Sequence, residues 1–136
     1  MIQGLTWAGL GCSGVQRVCY IRPMKLVETG ITLADLRSMA EGRFGDLVKA
    51  VVDVREGVMV VDRELHSDEE ALLIERGSEQ AALWGISLYP DLPASEWVEF
   101  DSMINIRPSQ GNRSRGVDDP EIQARIVAII EPLVCE

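Results

Sequence analysis

The sequence predicts an α+β domain in which helices pack on one face of a mostly antiparallel sheet. Five short segments are apolar or alternate between apolar and polar residues, and three longer segments carry apolar residues at helical spacing after capping signals. Short turns favour hairpins over long crossovers. The predicted order is β-α-β-β-α-β-β-α, and a chain of 136 residues suits one domain with one core.

The first strand and the first helix are predicted from residues 25–28 and 33–43. Thr32 and Asp35 have the spacing of a capping box, with Asp in the place of Glu. Apolar residues then recur at helical spacing: Leu33, Leu36, Met39 and Ala40. This pattern predicts an amphipathic helix with one core-facing stripe.

The middle of the chain predicts a hairpin followed by a second helix. Residues 47–54 and 58–62 are rich in β-branched residues, and a short glycine-containing turn separates them. Ser67 and Glu70 then have the spacing of a capping box, and acidic residues fill the first turn. Gly77 is expected to stop this helix.

The last third of the chain predicts two more strands and a final helix. The strands span residues 83–89 and 97–107, and a proline-rich loop joins them. Asp119 is the expected N-cap of the helix, with Pro120 at its first position. An apolar stripe at helical spacing continues to about residue 134.

Alternation along the predicted strand of residues 97–107 divides its side chains between two faces. One face is nearly all apolar and carries Val98, Phe100, Ser102, Ile104 and Ile106. The other face is mixed and carries Trp97, Glu99, Asp101, Met103, Asn105 and Arg107. If this strand neighbours residues 47–54, a polar cluster forms from Lys49, Asp53, Asp101, Asn105 and Arg107. Alternatively, this mixed face of the sheet is exposed to solvent or packs against a second copy of the chain.

Residues 1–23 differ in composition from the rest of the chain. They contain two arginines and no acidic residue, whereas the whole chain has a formal net charge of -9. They lack the basic start and the longer apolar run of a secretory signal. We therefore predict a poorly structured extension, which a start codon chosen too early would explain, before a single domain of residues 24–136.

The net charge and the cysteine content of the chain restrict which nucleic acids, membranes and metal ions it is expected to bind. An acidic surface repels nucleic acids and anionic membranes, and no apolar run reaches the roughly 18 residues of a membrane helix. Cys12, Cys19 and Cys135 lack zinc-ligand spacing, and the chain has one histidine, which argues against a metal site. Reduced thiols and a cytoplasmic location are the simplest expectation. The sequence identifies no cofactor.

The loop "NIRPSQGNRSRG", residues 105–116, contains three arginines and no acidic residue. Guanidinium groups match phosphate or carboxylate oxygens, and the neighbouring Gly, Ser, Gln and Asn residues can add neutral hydrogen bonds. The predicted ligand-binding residues are Asn105, Arg107, Ser109, Gln110, Asn112, Arg113 and Arg115. One alternative is that the arginines pair with carboxylates of this chain. The other is that the loop contacts nucleic acid, but the acidic surface of the protein argues against this. The loop matches neither a P-loop nor a dinucleotide-binding motif.

The only histidine, His66, lies just before the second predicted helix. A histidine that acts as a general base needs an acidic partner, and Glu64 or Asp101 could serve. The predicted catalytic residues are therefore His66, Glu64 and Asp101. The alternative is a structural or exposed histidine, and no recognised spacing supports a divalent cation at the acidic residues.

Four segments resemble a small prokaryotic family that is catalogued only as a domain of unknown function. They are "GDLVKAVVDV", "ELHSDEEALLIERGS", "LWGISLYP" and "EFDSMINIRPSQGNRSRGVDDPEI". The resemblance covers residues 24 to about 134 and leaves residues 1–23 outside. It implies a small soluble domain, and it supplies no catalytic residue.

Three functional hypotheses follow from these observations. The leading one is a domain that binds a small anionic ligand, phosphate- or carboxylate-bearing, through the arginines of residues 105–116. The second is a hydrolase or lyase that acts on such a ligand with His66 and either Glu64 or Asp101. The third is an interaction module that forms a homodimer through the polar sheet face. The sequence does not decide whether the protein is an enzyme.

Overall fold

A computed structural model describes the backbone of residues 18–21 and 24–135 and the side chains of residues 25–135. In this part of the chain, three α-helices pack on a six-stranded sheet, and two further short strands pair separately. All neighbours in the six-stranded sheet are antiparallel. The predicted α+β class is confirmed.

The elements are numbered in chain order. The large sheet contains β1 (Val18–Ile21), β2 (Met24–Val27), β4 (Val48–Asp53), β5 (Val58–Val61), β6 (Leu83–Leu88) and β7 (Val98–Glu99). Their order across the sheet is β1-β2-β5-β4-β6-β7. The short strands β3 (Ile31–Thr32) and β8 (Val134–Cys135) pair in parallel. The helices are α1 (Leu33–Gly42), α2 (His66–Glu75) and α3 (Pro120–Leu133).

The helices lie on both faces of the sheet, so the expectation that they share one face is wrong. Ala50 and Val52 of β4 belong to one buried core together with residues of α1 and α3. Val51, between them, points to the opposite face and packs in a second core with Val60 of β5 and Leu73 of α2. The face that looks mixed in the sequence is apolar at its centre, and α2 covers that centre.

The strand predicted over residues 97–107 is much shorter in the structure. Only Val98–Glu99 pair with β6, and Met103–Asn105 form a 3₁₀ turn with Ser102 as its N-cap. Ser102 lies against Gly85 of β6, because a β-carbon added at Gly85 would come within 2.5 Å of Ser102 Oγ. The chain therefore turns over β6 at this point, and the predicted alternation of faces beyond β7 is wrong.

The predicted starts of α1 and α3 are confirmed. Thr32 Oγ1 accepts a hydrogen bond from the backbone N–H of Asp35 at 3.1 Å. Asp119 Oδ1 accepts one from the backbone N–H of Glu121 at 2.9 Å. These N-caps satisfy N–H groups that the first turn of a helix otherwise leaves unpaired.

The start of α2 differs from the prediction. The capping box expected from Ser67 and Glu70 is wrong, because the helix begins at His66 and its N-cap residue is Leu65, which offers no side-chain acceptor. Backbone N–H groups at an uncapped helix start carry a partial positive charge. The first turn of α2 therefore has no capping side chain, and the positive polarity of its backbone is opposed by the acidic side chain of Asp68.

Part of the predicted N-terminal extension falls outside the described residues. Residues 1–17, 22–23 and 136 are not described. Within the predicted extension of residues 1–23, residues 18–21 form β1, which pairs with β2. The six-stranded sheet therefore includes a strand that precedes the predicted start of the domain.

The cysteines were expected to be reduced, and for Cys135 this expectation is wrong, because Cys135 is disulfide-bonded. Cys12 and the side chain of Cys19 lie outside the described residues. No helix in the described part of the chain is long and apolar enough to span a membrane. The same residues contain no cluster of three or more potential metal ligands.

Candidate functional site

The loop of residues 105–116 is organised by its two asparagines. Asn105 is fully buried, and its Oδ1 accepts from the backbone N–H of Gly85 at 2.8 Å. Its Nδ2 donates to the carbonyl oxygens of Gly85 at 3.0 Å and Arg115 at 2.9 Å. Asn112 Nδ2 lies within hydrogen-bond distance of three loop carbonyl oxygens. Both side chains thus complete the backbone hydrogen bonding of the loop and of the edge of β6.

Arg107 is also used inside the fold. Its guanidinium donates to the carbonyl oxygen of Ile104 at 3.0 Å and to that of Leu83, and it stacks 4.7 Å from the centre of the Trp84 ring. Glu70 of α2 lies 3.8 Å away. Burial lowers the pKa of Arg107, while the charge of Glu70 opposes that shift. Arg107 therefore joins the loop to β6 and α2.

The remaining predicted ligand-binding residues are nearer the surface. The side chains of Arg113 and Ser109 are exposed and make no hydrogen bond or ion pair within the described residues. Gln110 Nε2 donates to a backbone carbonyl just before β6 at 3.3 Å. Arg115 Nε donates to Asp101 Oδ1 at 2.6 Å, which lowers the pKa of Asp101 and raises that of Arg115. Of these exposed residues, Gln110 accepts a hydrogen bond from Arg107, and Arg115 is connected to the predicted catalytic residue Asp101.

His66 lies at the start of α2 and is 8% exposed. Its Nε2 is 2.7 Å from the carbonyl oxygen of Ile86. Because a carbonyl oxygen can only accept, Nε2 carries the proton, and Nδ1 is the free acceptor of the neutral ring. Burial lowers the pKa of His66 below 6.5, and the backbone hydrogen bond opposes this shift. At neutral pH the ring is an oriented, uncharged proton acceptor.

Three charged side chains act on the imidazole of His66. The positive charges of Lys49 and Arg115 lower its pKa, and the negative charge of Asp101 raises it. These residues come from β4, from the loop of residues 105–116 and from the segment after β7. We refer to Lys49, His66, Asp101 and Arg115 as the α2 corner.

Lys49 supplies the α2 corner with a cation that no carboxylate neutralises at short range. Its Nζ lies 5.1 Å from the centre of the Phe44 ring, and it forms no ion pair within the described residues. It lies two residues from Val51 on the same face of β4, and Val51 packs with Leu73 of α2, so Lys49 lies on the sheet face that α2 covers. The ammonium group of Lys49 is therefore stabilised by an aromatic ring and has no close carboxylate among the described residues.

Glu69 lies beneath the first turn of α2 and is fully buried. Neither carboxylate oxygen has a hydrogen-bond partner among the described residues. Burial raises the pKa of Glu69 well above 4.5, and the charge of Asp62 acts in the same direction. Lys49, Arg43 and the backbone N–H of Arg63 oppose the shift, although that N–H does not reach hydrogen-bond geometry. Burial dominates this balance, so the surroundings of Glu69 favour the protonated carboxyl group over the carboxylate.

The structure brings together two of the three predicted catalytic residues. His66 and Asp101 belong to the α2 corner, whereas the side chain of Glu64 is 72% exposed and lies 3.8 Å from Arg43. The sequence analysis missed Glu69, although a signal was present. His66, Glu69 and Leu73 recur at intervals of three and four residues, which places Glu69 on the buried stripe of the helix.

The polar cluster predicted on one sheet face is divided in the structure. Lys49 and Asp101 both act electrostatically on His66, but Asp53 lies at the other end of β4. There its carboxylate accepts hydrogen bonds from the backbone N–H of Arg55 at 2.8 Å and from Ser78 Oγ at 2.5 Å. Asp53 therefore stabilises the hairpin turn and the segment after α2, away from His66.

The fold and the α2 corner define a small α+β domain with a polar site at the uncapped start of a helix. The chain belongs to the family DUF5674, described as a protein of unknown function, whose model matches residues 25–133. The resemblance seen in the sequence is thereby confirmed. Comparisons with curated proteins and with solved structures give no match.

Proposed function

We propose that this domain binds a small phosphate- or carboxylate-bearing ligand at the α2 corner. The observation that carries the proposal is the buried ring of His66 at the uncapped start of α2, which the Ile86 carbonyl oxygen orients and on which the charges of Lys49, Asp101 and Arg115 act. The uncapped first turn of α2 adds backbone N–H groups of positive polarity at the same place. The net charge of -9 argues for a small ligand rather than a polyanion.

This proposal gives different roles to the residues of the loop. Arg115 contacts the ligand, while Asp101 orients the guanidinium from its other side. The exposed side chains of Arg113 and Ser109 remain available for a larger ligand that extends past the corner. Asn105 and its neighbouring buried residues hold the loop in place.

A thermal-shift titration with inorganic phosphate, pyrophosphate and citrate tests the proposal. A ligand at one hundred times its Kd stabilises the native state by about 2.7 kcal/mol, which raises the Tm by several degrees in a domain of this size. We expect this shift to be lost in Arg115→Gln and Lys49→Met and to persist in Arg125→Gln. Arg125 is a matched control, because it is an exposed arginine on α3, across the sheet from the corner.

Two results would contradict anion binding at the α2 corner. One is a Tm that no anion of the series raises. The other is a shift that Arg115→Gln and Lys49→Met retain in full while both variants remain folded.

Acid–base catalysis on the bound ligand is a second candidate function. The specific observation in its favour is the neutral His66 ring, which the Ile86 carbonyl holds with Nδ1 as the free acceptor. His66 would take a proton from the ligand, and the negative charge of Asp101 would stabilise the resulting imidazolium, whereas the positive charge of Arg115 would oppose it. This is the hydrolase or lyase hypothesis with Asp101, rather than Glu64, as the acidic partner.

A turnover assay with each anion that raises the Tm distinguishes binding from catalysis. In His66→Gln, the new amide can still donate to the Ile86 carbonyl but cannot accept a proton. We expect product formation, followed by NMR of the ligand, to fall at least about a hundredfold in this variant, while the anion-induced Tm shift persists. Equal turnover in the wild type and in His66→Gln would remove the catalytic role.

A homodimer is the third candidate, and exposed apolar side chains favour it. Met103, at the start of the 3₁₀ turn after β7, is 64% exposed, and Ile106, the C-cap residue of that turn, is 38% exposed. Trp97, which was expected in such a contact, packs instead in the core that contains α1 and α3. Light scattering on the wild type and on Met103→Glu tests this candidate, and a wild type that stays monomeric at high concentration would exclude it.

A further inference from the structure

A cavity of about 270 Å³ lies at the C-terminal end of α2, the opposite end of the helix from the α2 corner. Its walls come from three parts of the chain: Glu28 after β2, Glu56 in the turn between β4 and β5, and Arg76 and Ser78 after α2. The first residue of β5, Val58, gives it an apolar surface. We refer to Glu28, Glu56, Val58, Arg76 and Ser78 as the hairpin cleft.

The end of α2 that borders the hairpin cleft is a Schellman motif. Gly77 has a φ of 105°, and its N–H donates to the carbonyl oxygen of Ile74 at 3.0 Å. The N–H of Ser78 donates to the carbonyl oxygen of Leu73 at 3.0 Å. The chain therefore turns back at Gly77 and brings Ser78 next to Asp53 of β4. The negative end of the helix dipole lies at this turn, where it favours cations.

Ser78 gives the hairpin cleft a hydrogen-bond acceptor. Its hydroxyl donates its single proton to Asp53 Oδ2 at 2.5 Å, so the hydroxyl oxygen can only accept from a further partner. The other oxygen of Asp53 accepts from the backbone N–H groups of Arg55 and Glu56. Asp53 is fully buried, so its carboxylate lies directly behind the hydroxyl and adds negative potential to the cleft.

Glu28 and Glu56 supply the negative charge of the hairpin cleft itself. The side chain of Glu28 is 24% exposed, and its Oε2 lies 3.5 Å from a guanidinium nitrogen of Arg76. The side chain of Glu56 is exposed and makes no hydrogen bond or ion pair within the described residues. The lining therefore has two carboxylates for one guanidinium, and the buried carboxylate of Asp53 adds to this excess of negative charge.

These groups favour a ligand that donates hydrogen bonds and carries positive charge. Among the side chains that line the cavity, Arg76 is the cationic donor, and it is already paired with Glu28. A metal ion fits less well, because two carboxylates supply few oxygen ligands and a guanidinium lies beside one of them. The volume lies just below the roughly 300–1,000 Å³ of pockets for drug-sized ligands, so the ligand has few heavy atoms.

We propose that the hairpin cleft binds a small organic cation, an alkylammonium or alkylguanidinium compound. Glu28 and Glu56 bind the cationic group, the oxygen of Ser78 accepts one of its hydrogen bonds, and Val58 contacts the alkyl part. This site lies at the opposite end of α2 from the proposed anion site and does not depend on it. The domain then has two sites of opposite charge preference, one at each end of the same helix.

An NMR titration at low ionic strength with putrescine, a four-carbon diamine, tests the proposal. The matched probes are the four-carbon diol, which has no charge, and succinate, which has two negative charges. We expect saturable amide shift changes at Glu56, Gly77 and Ser78 with the diamine and none with the diol or succinate. Phosphate binding at the α2 corner is followed at different amides, so the failure of either site is seen independently of the other.

Three variants that each remove one negative charge distinguish a specific site from general attraction of a cation to an acidic protein. We expect Glu28→Gln and Glu56→Gln to weaken diamine binding about tenfold, the effect of losing one hydrogen bond to a charged group. Glu41→Gln should retain the affinity, because Glu41 is exposed on α1, across the sheet from the cleft. Arg76→Met should tighten binding about threefold, because Glu28 loses its internal cation.

Four results would overturn the inference. The first is a titration in which putrescine causes no saturable shift change at the cleft, and the second is an equal response to the diol or to succinate. The third is full retention of diamine affinity in Glu56→Gln, a variant of an exposed side chain that remains informative even if Glu28→Gln does not fold. The fourth is weaker binding in Arg76→Met, which would show that the guanidinium contacts the ligand and that the site prefers an anionic or zwitterionic compound.

Discussion

The loop of residues 105–116 and the first turn of α2 are both polar, but they differ in what their polar groups bind. In the loop, the side chains of Asn105, Arg107 and Asn112 are engaged by the chain's own backbone. At the first turn of α2, the helix start is uncapped and Glu69 has no partner among the described residues. The loop attracts attention in the sequence because of its arginines, yet its most buried polar residues are structural.

The difference shows how a polar residue can be assigned to folding or to binding. A buried polar group with all its hydrogen bonds made inside the chain stabilises the fold and has little capacity left for a ligand. Removing a polar group from water without giving it a hydrogen-bond partner costs free energy, which only a proton, a water molecule or a ligand can offset. By this criterion the first turn of α2, which contains Glu69, is a candidate binding region, whereas the centre of the loop is structural.

The largest expected effect is the loss of Asn105. Asn105→Ala removes three hydrogen bonds and leaves the N–H and C=O of Gly85 buried without partners. We expect the free energy of unfolding to fall by about 3 kcal/mol, measured by urea denaturation. Ser109→Ala is the control and should change it by less than about 0.5 kcal/mol. An Asn105→Ala protein as stable as this control would contradict the structural role of the loop.

A smaller loss is expected for Arg107→Lys, which keeps the charge and removes the planar fork. A lysine cannot donate simultaneously to the carbonyl oxygens of Ile104 and Leu83 and cannot stack on Trp84 in the same way. We expect about 2 kcal/mol less stability in urea denaturation. Arg113→Lys, at an exposed arginine of the same loop, should match the wild type. Equal stability of both variants would show that Arg107 contributes only its charge.

The α2 corner is expected to control stability on the acid side. The pKa of His66 is lowered on folding, so the native state binds fewer protons than the unfolded state. Its contribution is complete above the unfolded pKa of about 6.5 and is lost as the pH falls from 6.5 toward the folded pKa. In His66→Gln, urea midpoints between about pH 6.5 and 5 should decline less than in the wild type. If the urea midpoint of His66→Gln fell with pH as much as that of the wild type, His66 would not be the titrating group.

The smallest effect on stability is expected for Arg113→Ala. The guanidinium of Arg113 is exposed and makes no hydrogen bond or ion pair within the described residues, so the free energy of unfolding should change by less than about 0.5 kcal/mol. Phosphate-induced stabilisation should persist, because the α2 corner is intact. A variant that remains folded but loses the phosphate response would move the binding site to the tip of the loop.

Local signals in the sequence predicted much of the fold. The N-caps at Thr32 and Asp119 and the hairpin of β4 and β5 could be read from neighbouring residues, because the interactions that define them are local. The distribution of the helices over both faces of the sheet could not be read from neighbouring residues. Val51 is apolar on a face that also carries Lys49 and Asp53, and only the tertiary position of α2 shows which part of that face is buried.

The candidate site was less predictable than the fold. His66 and Asp101 were identified as residue types suited to proton transfer, but their proximity depends on how the chain turns over Gly85 after β7. Arg107 looked like a ligand-binding residue, because nothing in the sequence reveals that its guanidinium donates to the Leu83 carbonyl oxygen and stacks on the Trp84 ring. The burial of Glu69 likewise depends on packing between α2 and the sheet.

The most direct test of the account is a ¹H–¹⁵N correlation NMR titration of the protein with inorganic phosphate at pH 7. We predict that the largest amide shift changes occur at Lys49, His66 and Ser67, where β4 meets the uncapped start of α2, with smaller changes at Arg115. Changes centred on Ser109 and Arg113, or no saturable change at any amide, would contradict an anion site at the α2 corner.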